Sequence, residues 1–555
     1  MSGSGRHRIL SFPSGGSGST PSCGETKGAR PGACYDGFAD ISCPPFRLRR
    51  VSPQRGERRW APLGLCLLLT LGACTVGPNY HKPEEPTPTG FLETPTKPPA
   101  AGETRITPEE GDLSAWWTSF GDPLLDELIR RALADNKDIA TAESRLREAR
   151  RQETVAVAAG LPHVNATGSA VTYNSNHAGT SSSSGSGNSS SSGVAGLPIP
   201  SHFNLYAAGF DATWEVDLFG GVRRSVEAAR ANTEAALWAR RDMDVSLSAE
   251  VANDYLTLRA LQARIAVGQA ELARQRDLFS LIRARREAGF VTNLDVNQQT
   301  AQVETAAAQI PQLEAQSRAQ IHALGVLVGQ APEYLAATLA PTTALPGTPP
   351  SLPLGLPSDL LRRRPDVREA ERRLAAANAE IGVQTANLYP KLNLLALANF
   401  SGMDLGSLFS RSNLASAAAG MATAPIFDAG KTRANIAIAR EEAVQARLAY
   451  ETTILNALRD VEDALARHSA ESVRVGELAA SVDAARNSLA IAQDQYRTGL
   501  VTFINVLQAE NTLLNAEDQL VQSRAQIATD LGAIYKALGG GWAEGPGEDR
   551  LAKAR

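Results

Sequence analysis

Residues 221–288 contain neither proline nor an internal turn signal, and they carry apolar side chains at a fixed step of seven: Val251, Leu258, Ile265, Leu272 and Phe279. At 1.5 Å per residue a helix of this length measures about 100 Å, whereas a bilayer's hydrocarbon core is about 30 Å thick. The stretch is therefore a rod in water and not a membrane span. A strict seven-residue step on a 3.6-residue helix also drifts around the cylinder, so the rod supercoils left-handed against a neighbour.

The chain supplies that neighbour itself. A second rod, Lys431–Arg497, repeats the first with a shift of 210, and Val461, Val475, Val482, Leu489 and Tyr496 occupy the same ladder, interrupted at His468. The rods end alike, in Arg286, Gly289, Val291 and Thr292 and in Arg497, Gly499, Val501 and Thr502, each glycine standing where a helix closes in the left-handed conformation. A further helix follows each turn. Within these helices the six residues 316–321 recur identically as 522–527, a shift of 206, which implies that one copy has lost four residues. The unit is a long helical hairpin used twice, and such a repeat overrides a domain count made from length.

All five cysteines lie at or before position 74 (Cys23, Cys34, Cys43, Cys66 and Cys74), so the body beyond has no thiolate metal site or disulfide framework. After residue 73 the chain holds 45 Lys and Arg against 55 Asp and Glu, a net charge of −10 that disfavours nucleic acid as a partner.

At the amino end, Arg55, Arg58 and Arg59 precede an apolar run, residues 61–73, of thirteen residues. That is too short to span a bilayer as a helix and reads as a signal peptide, residues 51–73. The run ends Leu71-Gly72-Ala73-Cys74, which resembles a bacterial lipobox and would make Cys74 the lipidated first mature residue. Residues 1–50 lack periodicity and precede a segment that belongs at a chain start, so translation is expected to begin near Val51.

Residues 74–115 read as an extended, proline-rich segment. Residues 116–339 form a first structural repeat, opened by Trp116-Trp117 and by Asp122-Pro123, an N-cap followed by proline, starting a helix that runs toward Ala159. The period then changes to two: Val164, Ala166, Gly168 and Ala170 alternate with polar residues, and after a Ser/Gly-rich loop Phe210, Ala212, Trp214, Val216 and Leu218 alternate with Asp211, Thr213, Glu215 and Asp217. A proline-rich connector, residues 340–357, separates this repeat from a second, residues 358–538, whose hairpin lies at about 391–427; residues 539–555 read as a disordered tail. The fold class is α+β.

Four strands per chain cannot close a barrel, yet an apolar face backed by carboxylates suits lipid outside and water inside. Two copies would give eight strands and a filled interior; three give twelve and leave a lumen. A homotrimer with a helical barrel beneath a twelve-stranded sheet follows.

Four segments carry a resemblance to a known family: Cys74-Thr75-Val76-Gly77-Pro78-Asn79-Tyr80; Trp116-Trp117 with Phe120-Gly121-Asp122-Pro123; Trp214-Glu215-Val216-Asp217-Leu218-Phe219-Gly220; and residues 356–367, from Leu356-Pro357 to Asp366-Val367. Together the chain from Cys74 to about Leu538 resembles the TolC-like outer-membrane efflux proteins of Gram-negative bacteria, in their OprM and NodT lipoprotein branch. The resemblance implies a trimeric α-barrel continued into a twelve-stranded transmembrane β-barrel in the outer membrane, lipid-anchored at Cys74. It implies docking on a periplasmic adaptor and an inner-membrane pump of the resistance-nodulation-division type, with no catalysis and no cofactor in this component. Thr75 is not the aspartate associated with inner-membrane retention.

The tips at Gly289 and Gly499 would meet the adaptor and narrow to a gate. Asp295 stands where the family places a constricting carboxylate; the matching Asn505 and nearby Gln508 depart from that pattern, which leaves an acidic ring from both repeats open. A structural alternative for Asp295 is a carboxylate at a helix N-terminus. Asp211, Glu215 and Asp217 would line the lumen. Gly430-Lys431-Thr432 resembles the end of a phosphate loop, but Pro425 stands where its first glycine belongs. The same tube can serve protein secretion, and a coiled-coil scaffold without a pore is the alternative of another class.

Overall fold

The computed structural model of the protein describes residues 75–84, 86, 88–94, 104–109, 111–174 and 202–543. The expectations for residues 1–74, including Cys74, and for most of the Ser/Gly loop lie outside them.

In chain order the elements are β1 (Arg105–Thr107), α1 (Pro123–Asp135), α2 (Lys137–Ala158), β2 (His163–Asn174), β3 (His202–Val216), α3 (Gly221–Glu287), α4 (Asn293–Leu327), β4 (Ser351–Pro353), α5 (Pro357–Arg363), α6 (Pro365–Ala386), β5 (Lys391–Gly402), β6 (Leu414–Thr423), α7 (Lys431–Arg497) and α8 (Phe503–Ala537). Each half thus runs helix, hairpin, long helix, return helix. Among the described residues no helix is long and apolar enough to cross a membrane.

The first helix departs from expectation by breaking at Asn136. Asp122 caps α1 as its position suggests, its Oδ1 accepting from the Leu124 and Leu125 amides at 2.9 and 3.3 Å. Asn136 then takes an extended backbone (φ −62°, ψ 139°), which lets its own side chain accept from Asp138 N at 2.7 Å and start α2 afresh. Its Nδ2 donates to Leu327 O at 2.9 Å, tying the break to the end of α4.

The two repeats are of equal length. α3 and α7 both have 67 residues and α4 and α8 both have 35, so no turn has been lost. The shared hexapeptide instead sits four residues nearer the turn in α8 than in α4. Four residues are a rotation of about 400°, so the segment keeps nearly the same face inward, and Ser317 and Ser523 are both buried.

The main core lies midway along the rods, where Trp116, Phe120, Leu125, Leu128 and Ile129 pack against Tyr255, Leu256 and Leu258 of α3, Val461 and Leu465 of α7 and Leu531 and Tyr535 of α8. Trp116 stacks on Tyr535 with ring centroids 5.0 Å apart. A second core near the turns joins Leu278 and Ile282 to Val482, Leu489, Tyr496, Phe503, Val506 and Leu513. The seven-step ladder of α7 is buried at Val461, His468, Val482, Leu489 and Tyr496. That of α3 is buried at Val251 and Leu258 only; toward the turn Ile265, Leu272 and Phe279 are half-exposed, and Glu271, Gln275, Leu278 and Ile282 face inward instead. A seven-residue step drifts about 20° per heptad on a straight helix, and here the inward face slips by one residue.

Two further departures come from contacts distant in sequence. β1 and β4 pair in parallel, Arg105 opposite Ser351, and so order the proline-rich connector. The expected disordered tail is packed as far as Trp542: Gly541 N donates to Leu113 O at 2.9 Å, Trp542 Nε1 donates to Arg363 O at 3.1 Å, and its ring meets Trp238 edge-on at 5.4 Å.

Candidate functional site

The four-stranded sheet runs β2-β3-β5-β6, antiparallel throughout. Its register gives all four strands one largely apolar face, while Leu395 and Leu397 of β5 and Ala417, Ala419 and Met421 of β6 lie on the other. Ala166, Phe210, Ala398 and Ser416 lie in one row, and Val164, Ala212, Ala396 and Ala418 in the next. Phe210 and Val164 are exposed there, so no core covers this face. The opposite face is polar on β2 and β3. Asn165 and Asp211 face each other in register, with Nδ2 to Oδ2 at 3.1 Å, and Lys391 Nζ lies 3.5 Å from Glu215.

Asp217 does not join them. It sits past the end of β3, where its Oδ2 accepts from Arg223 N at 2.9 Å, and so holds the first turn of α3. The same device opens the second rod: Asp428 accepts from Thr432 Oγ1, from Thr432 N at 2.8 Å and from Gly430 N at 3.0 Å, and these donors, the Thr432 hydroxyl foremost, hold its carboxyl below the usual carboxylate range.

Residues 75–80 are strapped across the junction of sheet and helices. Val76 N donates to Phe219 O at 3.1 Å. The buried Arg224 guanidinium donates to Val76 O at 3.2 Å, Gly77 O at 3.3 Å and Asn79 Oδ1 at 2.7 Å, and pairs with Glu227 at 2.7 Å. Gly77 has φ +93°, and a Cβ there would lie 2.5 Å from Gly382 Cα. The strap fixes residue 75, next to Cys74, against Gly220. Sequence reading missed Arg224; a cation three residues after Gly221, with no acid beside it in the rod's opening turn, was the available signal.

At the far end of the rods, Gly289 and Gly499 both have φ +81°, and a Cβ added at either would meet no atom within 4 Å, so conformation and not space demands glycine. Phe290 N donates back to Arg285 O and Leu500 N to Gln495 O, both at 2.9 Å, closing the turns. Arg286 Nε donates to Asn293 Oδ1 at 2.8 Å. Asp295 forms a capping box, its Oδ2 accepting from Thr292 N and Oγ1, each at 2.9 Å. Val291 and Val501 pack on the turn-proximal core. Thr502 caps α8 without a side-chain bond, and Asn505 and Gln508 are exposed.

The two turns meet through a residue the sequence did not single out. Arg285 donates to Tyr496 O at 3.1 Å and to Arg497 O at 2.8 Å, and its guanidinium lies over the Tyr496 ring at 4.8 Å. It neutralises the open carbonyls at the C-terminal end of α7.

Behind the turns lies a buried polar layer. Gln275 Nε2 donates to Glu510 Oε2 at 2.8 Å and to Glu271 Oε1 at 2.5 Å, and Gln299 Nε2 donates to Gln275 Oε1 at 2.6 Å. Burial, with Glu271 nearby, pushes the Glu510 carboxyl up to about 7, against the bonds from Gln275 and Gln493 and the charge of Arg274. Glu510 thus faces into the bundle, whereas Asn505 and Gln508 are exposed nearer the turn.

The model of the outer membrane efflux protein family matches residues 128–330 and 356–540, the two repeats on either side of the connector. The pyoverdine export outer membrane protein OpmQ of Pseudomonas aeruginosa is 32% identical over 485 residues, covering 86% of this chain and 96% of that one. Nodulation protein T of Rhizobium leguminosarum bv. trifolii is 30% identical over 478 residues, covering 85% and 96%. The solved outer-membrane channel OprN superimposes with a TM-score of 0.75 at 33% identity, over 84% of this chain and 100% of that one; CusC does so at 0.70 and 26% identity. With both helical hairpins, both β-hairpins and their order matched, the chain belongs to the outer membrane efflux protein family.

Proposed function

We propose that the protein is the outer-membrane exit duct of a tripartite efflux assembly, passing small molecules outward without catalysing a reaction. The observation that carries this is the sheet, whose two faces are both uncovered, one apolar across all four strands and the other bearing Asp211 with Asn165 and Glu215 with Lys391. A soluble fold would leave such an apolar face against water; a membrane barrel turns it to lipid. Strands of ten to fifteen residues, rising about 3.3 Å each and tilted near 40°, span the apolar band of an outer membrane. Three copies give twelve strands and a lumen lined by Asp211 and Glu215, with the rods continuing as a periplasmic tunnel.

The turns, with Arg286, Gly289, Val291, Thr292, Arg497, Gly499, Val501 and Thr502, then face a periplasmic adaptor and an inner-membrane pump of the resistance-nodulation-division type. Exposed Phe290 and Leu500, at equivalent positions, offer that adaptor an apolar contact. Asp295 adds a weak anionic ring at the mouth, and Cys74 carries the lipid anchor beside the strap. The similarity to export and efflux components favours this over protein secretion. In a host lacking its own channel, the full chain made with an adaptor and pump should lower the accumulation of a fluorescent pump substrate; unchanged accumulation, with all three parts present in the envelope, would sink the proposal.

A further inference from the structure

The face that bears Asp211 and Glu215 changes character along the first hairpin. Toward its helix end it carries Asn165, Thr167 and Ser169 on β2 with Asp211, Thr213 and Glu215 on β3. Beyond the row of Ser169 and Ala207 come Val171 opposite Leu205 and Tyr173 opposite Phe203. Val171, Tyr173 and Leu205 are 50%, 42% and 38% exposed, and the rings of Tyr173 and Phe203 stack at 5.2 Å. The other face inverts at the same level: the apolar face of Val164, Ala166, Phe210 and Ala212 gives way to Thr172 with Asn204 and Asn174 with His202. The register runs unbroken from His163 opposite Thr213 to Asn174 opposite His202, so the chemistry has changed sides and the backbone has not.

These rows also stand clear of the second hairpin. β5 pairs with β3 only as far as Tyr206 opposite Gly402, and β2 and β3 continue alone by four residues each, about 13 Å. A strand in lipid keeps its apolar residues outward. Here the outward residues are polar and the inward ones apolar, which places this end in water beyond the hydrocarbon, with its greasy face turned to the lumen. The size of the proposed barrel limits what that face can touch. Twelve strands about 4.8 Å apart and tilted near 40° close at about 75 Å around and about 24 Å across, so rings reaching in from opposite walls stop about 10 Å short of one another. A gap of that width suits a planar small molecule, held by stacking on aromatic faces and by apolar contact.

Resting on the exit-duct reading, we infer that Val171, Tyr173, Phe203 and Leu205 form an apolar collar at the outer mouth that binds aromatic or apolar solutes as they leave. It lies about 20 Å beyond the level of Asp211. The lumen thus offers two successive environments, a charged one near the helices and an apolar one at the exit, and a solute with an aromatic body is retained longest at the second.

The test is block of the ionic current through the purified full-length trimer in a planar bilayer, with ethidium, a planar cation, and naphthalene-2-sulfonate, a planar anion, added in turn to both sides. Both should interrupt the wild-type current. In Tyr173→Ser with Phe203→Ser the concentration needed should rise at least tenfold for each, whereas Tyr173→Phe should stay within twofold of wild type. Asp211→Asn should leave the block by naphthalene-2-sulfonate in place. If the double variant does not assemble, Val171→Thr with Leu205→Thr tests the same collar and should weaken both blocks. Undiminished block in variants that conduct overturns the collar, as does block by ethidium alone that Asp211→Asn removes. A double variant that only conducts more, with block unchanged, shows that these side chains cover one another and hold no solute. All three results leave the duct standing; a wild-type trimer that passes no current takes both down.

Discussion

Glu510 shows what a single residue does in this fold. Its carboxyl sits in a polar layer between α3, α4, α7 and α8, facing Glu271, Arg274 and Gln275, with Gln493 and Gln299 completing the set. Because burial raises its pKa from 4.5 to about 7, the folded protein binds a proton that the unfolded chain has already released between those values. Stability therefore falls as pH rises from about 4.5 to about 7, by on the order of 2–3 kcal/mol. Asp242 and Asp244, pushed up to about 6 by burial, act in the same direction. Glu510→Gln should flatten this dependence in thermal melts of the purified protein taken from pH 5 to 8; an unchanged slope would show that the layer does not hold the proton. The raised pKa was not legible in the sequence, although Glu510 is the one charged residue between Arg497 and Glu517; the glutamines of other helices that face it mark its burial.

At the scale of elements, the turns of the rods are where local chemistry decides most. Gly499 holds φ +81° with open space around it, so Gly499→Ala costs backbone strain of about 1 kcal/mol and nothing in packing. Amide exchange at residues 497–501 should rise about fivefold. Gly476, inside α7 and equally uncrowded, makes the contrast: Gly476→Ala should slow exchange around it, because a helix interior favours alanine. Equal effects at both positions would mean that the turn is not held by the left-handed glycine. These turns, the rods and the alternating strands could be read from sequence because each rests on a period or a local signal. The break at Asn136, the β1–β4 pair, the packing of Trp542 and the Arg285 contact could not, since each is made with a partner far along the chain. Asp217 misled for a related reason: it continues the alternation of β3 by two residues, yet the strand ends at Val216 and the carboxylate serves the helix that follows.

For the whole molecule, the doubled architecture is also the source of its incompleteness. One chain joins its two repeats once and leaves apolar side chains of the second exposed at Phe427, Ile438, Leu448 and Leu455. It carries an apolar sheet face without a core and an opposite face that bears Asp211 and Glu215. Both become intelligible when copies close into a ring with lipid outside and water within. Arg285 ties the two rods of one chain at their turns, the end that the proposed duct would open and close. The direct measurement is ionic conductance of the purified full chain in a planar bilayer. Discrete, stepwise currents from an assembly that migrates as a trimer are the predicted result; a membrane-inserted trimer that passes no current at any voltage would contradict the duct.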